Sequence, residues 1–254
     1  MLFLIPVALF ILGMILASFV GVLSVRLHTG QGFLTGRSHC DACNSPLPPS
    51  ALVPVFSFFA SSGKSLCCGA RISPFSPITE VLLGVLFVLS YLTLGLTIAL
   101  PFLLVSLSVL LALVLYDISH QILPSSLLIV FVILSGLTRF LISPSISEFF
   151  PSLVTAVLIG TSLVLIHYFS RGRAMGLADA PLSFGLSLLV GQSALSGFIF
   201  SFWIGALIGV AMLYRRPRGS RMGVEVPFAP YLAAGFLLAY FTQWNIFVLI
   251  AVLS

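Results

Sequence analysis

Charge is what this 254-residue sequence has least of: charged residues make up 7% of it, and the acids number six, Asp41, Glu80, Asp117, Glu148, Asp179 and Glu225. A soluble globular domain needs far more polar surface, and a disordered chain far more charge, so both classes are excluded. Eleven Lys and Arg are likewise too few for a charged nucleic-acid-binding surface, and no nucleic-acid partner is expected. The net charge of +5 says little about a ligand, because insertion concentrates basic residues in the cytoplasmic loops of any membrane protein. Low-complexity tracts and short-period repeats are missing too.

What is abundant is hydrocarbon: 59% of residues are hydrophobic, and there are 23 Phe, most simply read as lipid-facing and packing groups. A helix crossing a slab of roughly 30 Å, at about 1.5 Å per residue, needs about 20 apolar residues. That ruler predicts an all-α polytopic membrane protein with about eight transmembrane helices, near residues 2–25, 78–98, 100–118, 124–142, 150–169, 178–192, 195–213 and 228–252. Gly185, Gly191 and Gly197 punctuate the sixth and seventh, which leaves their division open. The first span has nothing basic before it and is longer than a signal's apolar region, so it is expected to be retained.

Basic residues orient the spans. Arg26, Arg37, Lys64 and Arg71 fall in the first loop, Arg171 and Arg173 in the fifth, and Arg215, Arg216, Arg218 and Arg221 in the seventh. Only Arg139 falls elsewhere. Eight spans with both termini outside the cytoplasm account for this asymmetry.

The organisation expected is therefore a first helix (1–25), a small cytoplasmic loop domain (26–77) and a membrane-embedded domain (78–254). The loop holds all four cysteines, Cys40, Cys43, Cys67 and Cys68. In a reducing compartment, four clustered thiols are better explained by a metal than by disulfides, and the two-residue gap between Cys40 and Cys43 suits tetrahedral zinc. The adjacent pair Cys67 and Cys68 bites a metal less comfortably, so four unligated thiols stay an alternative. His39 is a substitute ligand or a solvated loop histidine.

By the orientation above, Asp117, ending the third span, and Asp179, opening the sixth, share the cytoplasmic edge of the bilayer. An acid there needs a partner, a water-filled cavity or a task. Taken singly, Asp179 reads as a helix cap with Pro181 in the first turn, and Asp117 as a headgroup-level residue. Together they permit a specific chemistry, since two carboxylates sharing a site cannot both ionise cheaply, and one keeps a proton while the other activates water. That is the acid and base needed to hydrolyse a peptide bond. The pair forms only if spans three and six pack together. Gly172, Ala174, Gly176, Ala178 and Ala180 would let a peptide backbone come close, and Pro124 is expected to open the helix after Asp117. Glu80 reads as balancing a helix N-terminus, Glu148 and Glu225 as solvated, His120 as a loop residue and His167 as interfacial.

Several stretches, in order along most of the chain, resemble the prepilin peptidases, membrane aspartyl peptidases that process type IV pilins and pseudopilins. Ser18, Phe19, Val20, Gly21 and Val22, leading to Arg26 and Leu27, are similar to that family's opening run, and Gly36, Arg37, Ser38, His39, Cys40, Asp41, Ala42 and Cys43 to its first cysteine motif. Val53, Pro54, Ser57, Gly63 and Lys64 match the interval that follows, and Ile72, Ser73, Pro77, Glu80 and Gly84 the exit from the cytoplasmic domain. Asp117 with Leu123 and Pro124 resembles the first catalytic motif. Gly176, Leu177, Ala178, Asp179 and Leu182 resemble Gly-x-Gly-Asp, and Val226, Pro227, Phe228, Ala229 and Pro230 a late Ile-Pro-Phe-Gly-Pro. The sequence departs from the pattern at Gly21, Ser65 in place of the third cysteine, Ser125, Ala178, Pro181 and Ala229.

The resemblance implies an inner-membrane aspartic endopeptidase with Asp117 and Asp179 as its catalytic pair. It would cut the leader of a type IV prepilin or pseudopilin after a Gly at the cytoplasmic membrane face, with the lipid bilayer as its other partner. It also implies structural zinc in the cysteine loop and, where methylation of the new N-terminus is retained, S-adenosylmethionine. Two rival readings are a proton- or cation-coupled transporter, which the missing internal duplication disfavours, and a non-enzymatic pilus or secretion assembly factor docking through the cysteine loop.

Overall fold

The computed structural model describes residues 3–29, 40, 42, 43, 45, 46, 48, 53–173, 175–215 and 227–244. Gly36, Arg37, Ser38, His39, Asp41, Ala174, Arg216, Arg218, Arg221, Glu225 and Val226 lie outside the described residues, as does the end of the eighth predicted span. Among the described residues all regular structure is helical, with no strand longer than an isolated bridge. The chain divides into two compact units, Met1–Gly95 and Leu96–Ser254.

The first unit holds α1 (Leu4–Thr29), the short α2 (Phe56–Ala60) and α3 (Phe75–Leu94). Both long helices are apolar on every face, as lipid-bathed helices are. They cross at glycines: a Cβ on Gly13 would lie 2.7 Å from the Gly84 Cα, and one on Gly84 2.9 Å from the Phe10 carbonyl oxygen. Without a hydrophobic force between helices in lipid, such close backbone approach supplies the dispersion contact that holds them. Glu80 is buried in the second turn of α3, where its Oε2 accepts the Val55 N–H (2.7 Å) and its Oε1 the Ser76 hydroxyl (3.4 Å). The expectation that it serves its own helix N-terminus is thus corrected: it clamps the start of α2 to α3.

The second unit is built from α4 (Ala99–His120), α5 (Ser125–Ile142), α6 (Ile146–Ser170), α7 (Asp179–Val190), α8 (Ala194–Arg215) and α9 (Ala229–Thr242), with a 3-10 turn, Gly191–Ser193, between α7 and α8. The eight long helices match the eight predicted spans one for one, and Gly191, at φ +72°, settles where the sixth and seventh divide. Among the described residues six stretches are long and apolar enough to cross a membrane, α7 and α8 counting as one, and α9 is a shorter apolar helix. The break after Asp117 falls at Gln121, which caps α4 in the left-handed conformation, while Pro124 starts α5 instead of opening α4.

Helix α7 is the centre of this unit. It packs on α5, α6 and α9. Two glycines make room: Gly185 sits under the Phe131 ring of α5, and Gly160 of α6 faces Phe184 and the Ala180 carbonyl. Ten of its twelve residues are buried, so it touches protein where most of its neighbours touch lipid.

Candidate active site

Asp117 occupies the last turn of α4 and Asp179 the first of α7, and both are buried. Neither bland reading holds. The N-cap of α7 is Ala178, not Asp179, and Asp117 is enclosed by protein instead of lying among headgroups. Asp179 lies near enough to Asp117 to feel its charge. Their helices are not packed along one another, as the sequence reading required. Instead α4 and α7 both pack on α5 and α9, which bridge them.

Each carboxylate lies against a backbone group. Oδ2 of Asp117 accepts the Ala229 N–H at 3.1 Å, the first N–H of α9. That group has no partner inside its own helix, and the positive end of the helix dipole adds to its pull on an anion. Asp179 lies against Gly176: its backbone N–H donates to the Gly176 carbonyl at 3.3 Å, and a Cβ added at Gly176 would stand 3.4 Å from Oδ2. A methyl there would touch the carboxylate at ordinary contact distance, and anything larger would crowd it. Gly176 and Leu177 are exposed, so the loop presents an open edge beside a buried acid.

That loop is anchored. His167, expected to be merely interfacial, binds the Met175 carbonyl oxygen through Nδ1 at 2.8 Å, tying the end of α6 to the approach to Asp179. Met175 packs with Leu163 and Ala180, and Phe228 leans on the same cluster while its ring also meets Phe202 at 5.5 Å. Phe228 thereby joins the Asp179 loop to the entry of α9, which carries the Asp117 donor. His120 closes α4 with its ring 4.6 Å from that of Tyr116.

The four cysteines also converge. Their Sγ atoms all lie within 4.8 Å of one another, with Cys43 and Cys67 at 3.1 Å and Cys40 and Cys68 at 3.7 Å. Thiolates placed about 2.3 Å from a tetrahedral zinc stand roughly 3.8 Å apart, so this donor set fits the ion. Two closed turns present them, Cys40 N–H to Ser45 C=O and Ser65 N–H to Ala70 C=O, the second turning through Gly69 at φ +70°. Ser65 contacts Cys40 and Cys67 at 3.2 and 3.0 Å. It is a hydroxyl beside the sulfur cluster, while Cys68 makes up the fourth sulfur, so adjacency does not stop both cysteines from reaching the centre. Hydrogen bonds from Ser45, Ser65 and Cys43 hold Cys67 down at about 6, and Ser65 also lowers Cys40. At Cys68 the Ala70 backbone N–H pulls downward, but desolvation and the three neighbouring thiols outweigh it and leave the group at about 11. For S-adenosylmethionine the described residues offer less: the one acid described in the first unit, Glu80, is engaged by Val55 and Ser76.

Helices of this length and composition define a multi-pass membrane protein, with two acids buried at helix ends of its second unit. Residues 11–94 match the model for the bacterial peptidase A24 N-terminal domain and residues 102–212 that for the type IV leader peptidase family. The chain is 33% identical to the prepilin leader peptidase/N-methyltransferase of Bacillus subtilis (strain 168), over 91% of its own length and 92% of that protein's. It is 30% identical to the one from Myxococcus xanthus (strain DK1622), over 82% and 63%, and 29% identical to the Pseudomonas aeruginosa one, over 79% and 70%. No solved structure matches it. The chain belongs to the type IV leader peptidase family.

Proposed function

We propose that this protein is an inner-membrane prepilin peptidase in which Asp117 and Asp179 cut the leader from type IV prepilins or pseudopilins after a Gly at the cytoplasmic face. The observation that carries the reading is the approach of two buried acids from distant helix ends, one held by Ala229 N–H and the other lying against Gly176. With one proton between them, the ionised carboxylate takes a proton from water as its oxygen attacks the scissile carbonyl carbon. The other carboxyl delivers its proton to the leaving nitrogen as the C–N bond breaks, and the pair regains its single proton. The exposed Gly176–Leu177 edge is where a substrate backbone arriving from the bilayer would reach them.

The cysteine loop, 26–77, is assigned structural zinc held by Cys40, Cys43, Cys67 and Cys68, where the ion would join the two turns that carry them. N-methyltransfer, named for the relatives, is a separate reaction on the same product. Mass spectrometry of a co-expressed prepilin tests both. Leader loss with the parent and none with Asp117→Ala or Asp179→Ala is expected, and full processing by either variant refutes the assignment. An added methyl group reads the second reaction. A transporter or a docking factor predicts no dependence of leader loss on either acid.

A further inference from the structure

The structure assigns α2 to the membrane surface: we infer that its outward phenylalanines insert among lipid chains while Lys64 and Arg71 meet anionic headgroups, so the cysteine segment lies on the bilayer instead of projecting from it. Depth comes first. Helix α3 has 20 residues, about 30 Å, which only just spans the hydrocarbon, so Phe75 marks its margin. Helical side chains slant toward the N-terminus, and the Glu80 carboxylate accordingly bonds Ser76 one turn back, at the level of that margin. The same carboxylate holds Val55 N–H at 2.7 Å. Helix α2 therefore starts at the edge of the hydrocarbon. Val55 is bound there at φ +59°, an unusual conformation for a β-branched residue, consistent with a fixed anchor point.

Chemistry comes second. Phe56 and Phe59, three apart on one helical face, are 68% and 71% exposed, unlike the inward Phe58 that packs on Gly63. Phe75 and Ile78, in the first turn of α3, are exposed as well. Beyond α2 the chain pairs Lys64 with Arg71 in an antiparallel bridge, leaving two exposed cations side by side at headgroup height. Apolar rings with cations next to them are what an anionic lipid surface binds.

The test uses the full chain with Trp203 and Trp244 changed to Phe and Phe59→Trp as the sole indole, reconstituted in vesicles, with Phe56→Trp as a second reporter should the first fold poorly. Phosphatidylcholine vesicles with brominated acyl chains are expected to quench the indole at least about twofold against unbrominated ones. Adding phosphatidylglycerol should lower its access to aqueous iodide further, and K64Q/R71Q should cancel that gain. Emission typical of water with no bromolipid quenching overturns the proposal. So does protection that comes only on adding a prepilin, which would give the surface to a peptide. Peptidase activity is not the readout, so failure here leaves the Asp117–Asp179 assignment standing.

Discussion

Ala229 gives its backbone N–H to Oδ2 of Asp117 across 3.1 Å, joining positions 112 residues apart. The position resembles a Gly of the late Pro-Phe-Gly-Pro run, and the contact explains why either small residue serves: the site uses the amide, not the side chain. Ala229→Gly should keep processing within about twofold. Ala229→Pro removes the donor at a first helical position, where Pro is otherwise accepted, and should slow leader removal roughly 10- to 100-fold, the worth of one hydrogen bond to a charge. Because Phe228 sits in the α region that a following Pro disfavours, thermal unfolding is measured beside the rate.

Asp117→Asn and Asp179→Asn should each lower processing by at least about 10²-fold, since each removes one partner of a proton-sharing pair while keeping its volume. Gel analysis of leader loss with membrane-fraction abundance as control separates this from failed insertion.

At Gly176 the prediction is graded by size. An added methyl would stand in ordinary contact with Asp179 Oδ2, so Gly176→Ala should retain most activity. Gly176→Val crowds the carboxylate and should cost at least about tenfold in kcat/KM, with little change in thermal stability because the position is exposed.

Gly191 supports α7 from its other end. It stands at φ +72°, and a Cβ there would come within 2.6 Å of the Arg139 guanidinium carbon. Gly191→Ala should destabilise the protein by about 1–3 kcal/mol. In an Arg139→Ala background the penalty should shrink to the dihedral part alone, a coupling that thermal denaturation in detergent can read.

The cysteines make a prediction in pH. In metal-free protein Cys67, near 6, is a thiolate at pH 7, and its alkylation by iodoacetamide should slow only as pH falls through about 6. Cys68, near 11, should react slowly until pH approaches that value. Peptide mass spectrometry resolves the two, and added zinc should protect both, with about one ion bound per chain.

Helix number and the two acids were legible because each leaves a mark in composition: an apolar run as long as the bilayer is thick, and a carboxylate at its edge. The partners of those acids were not. Ala229 acts through its backbone N–H, which every residue but proline carries, and Gly176 through the lack of a side chain, so no pattern of side-chain chemistry announces them. Hydropathy also cannot tell lipid contact from protein contact. Helix α7 therefore read like any other span, and the bridging of α4 and α7 by α5 and α9 was mistaken for direct packing. Glu80 misled for a related reason: its partner Val55 is distant in sequence and again offers only an amide.

The sheathing of α7 has a mechanical consequence. A span bathed in lipid tilts or shifts when acyl chains lengthen or shorten, each ångström of mismatch carrying a small energetic penalty. With ten of twelve residues gripped by its neighbours, α7 takes its height from the bundle, and Asp179 should hold the same level in thin and thick membranes alike. Under the proposed function, in which Asp179 meets its target bond at one depth, leader removal should therefore be insensitive to the changes of growth temperature that remodel the cell's lipids.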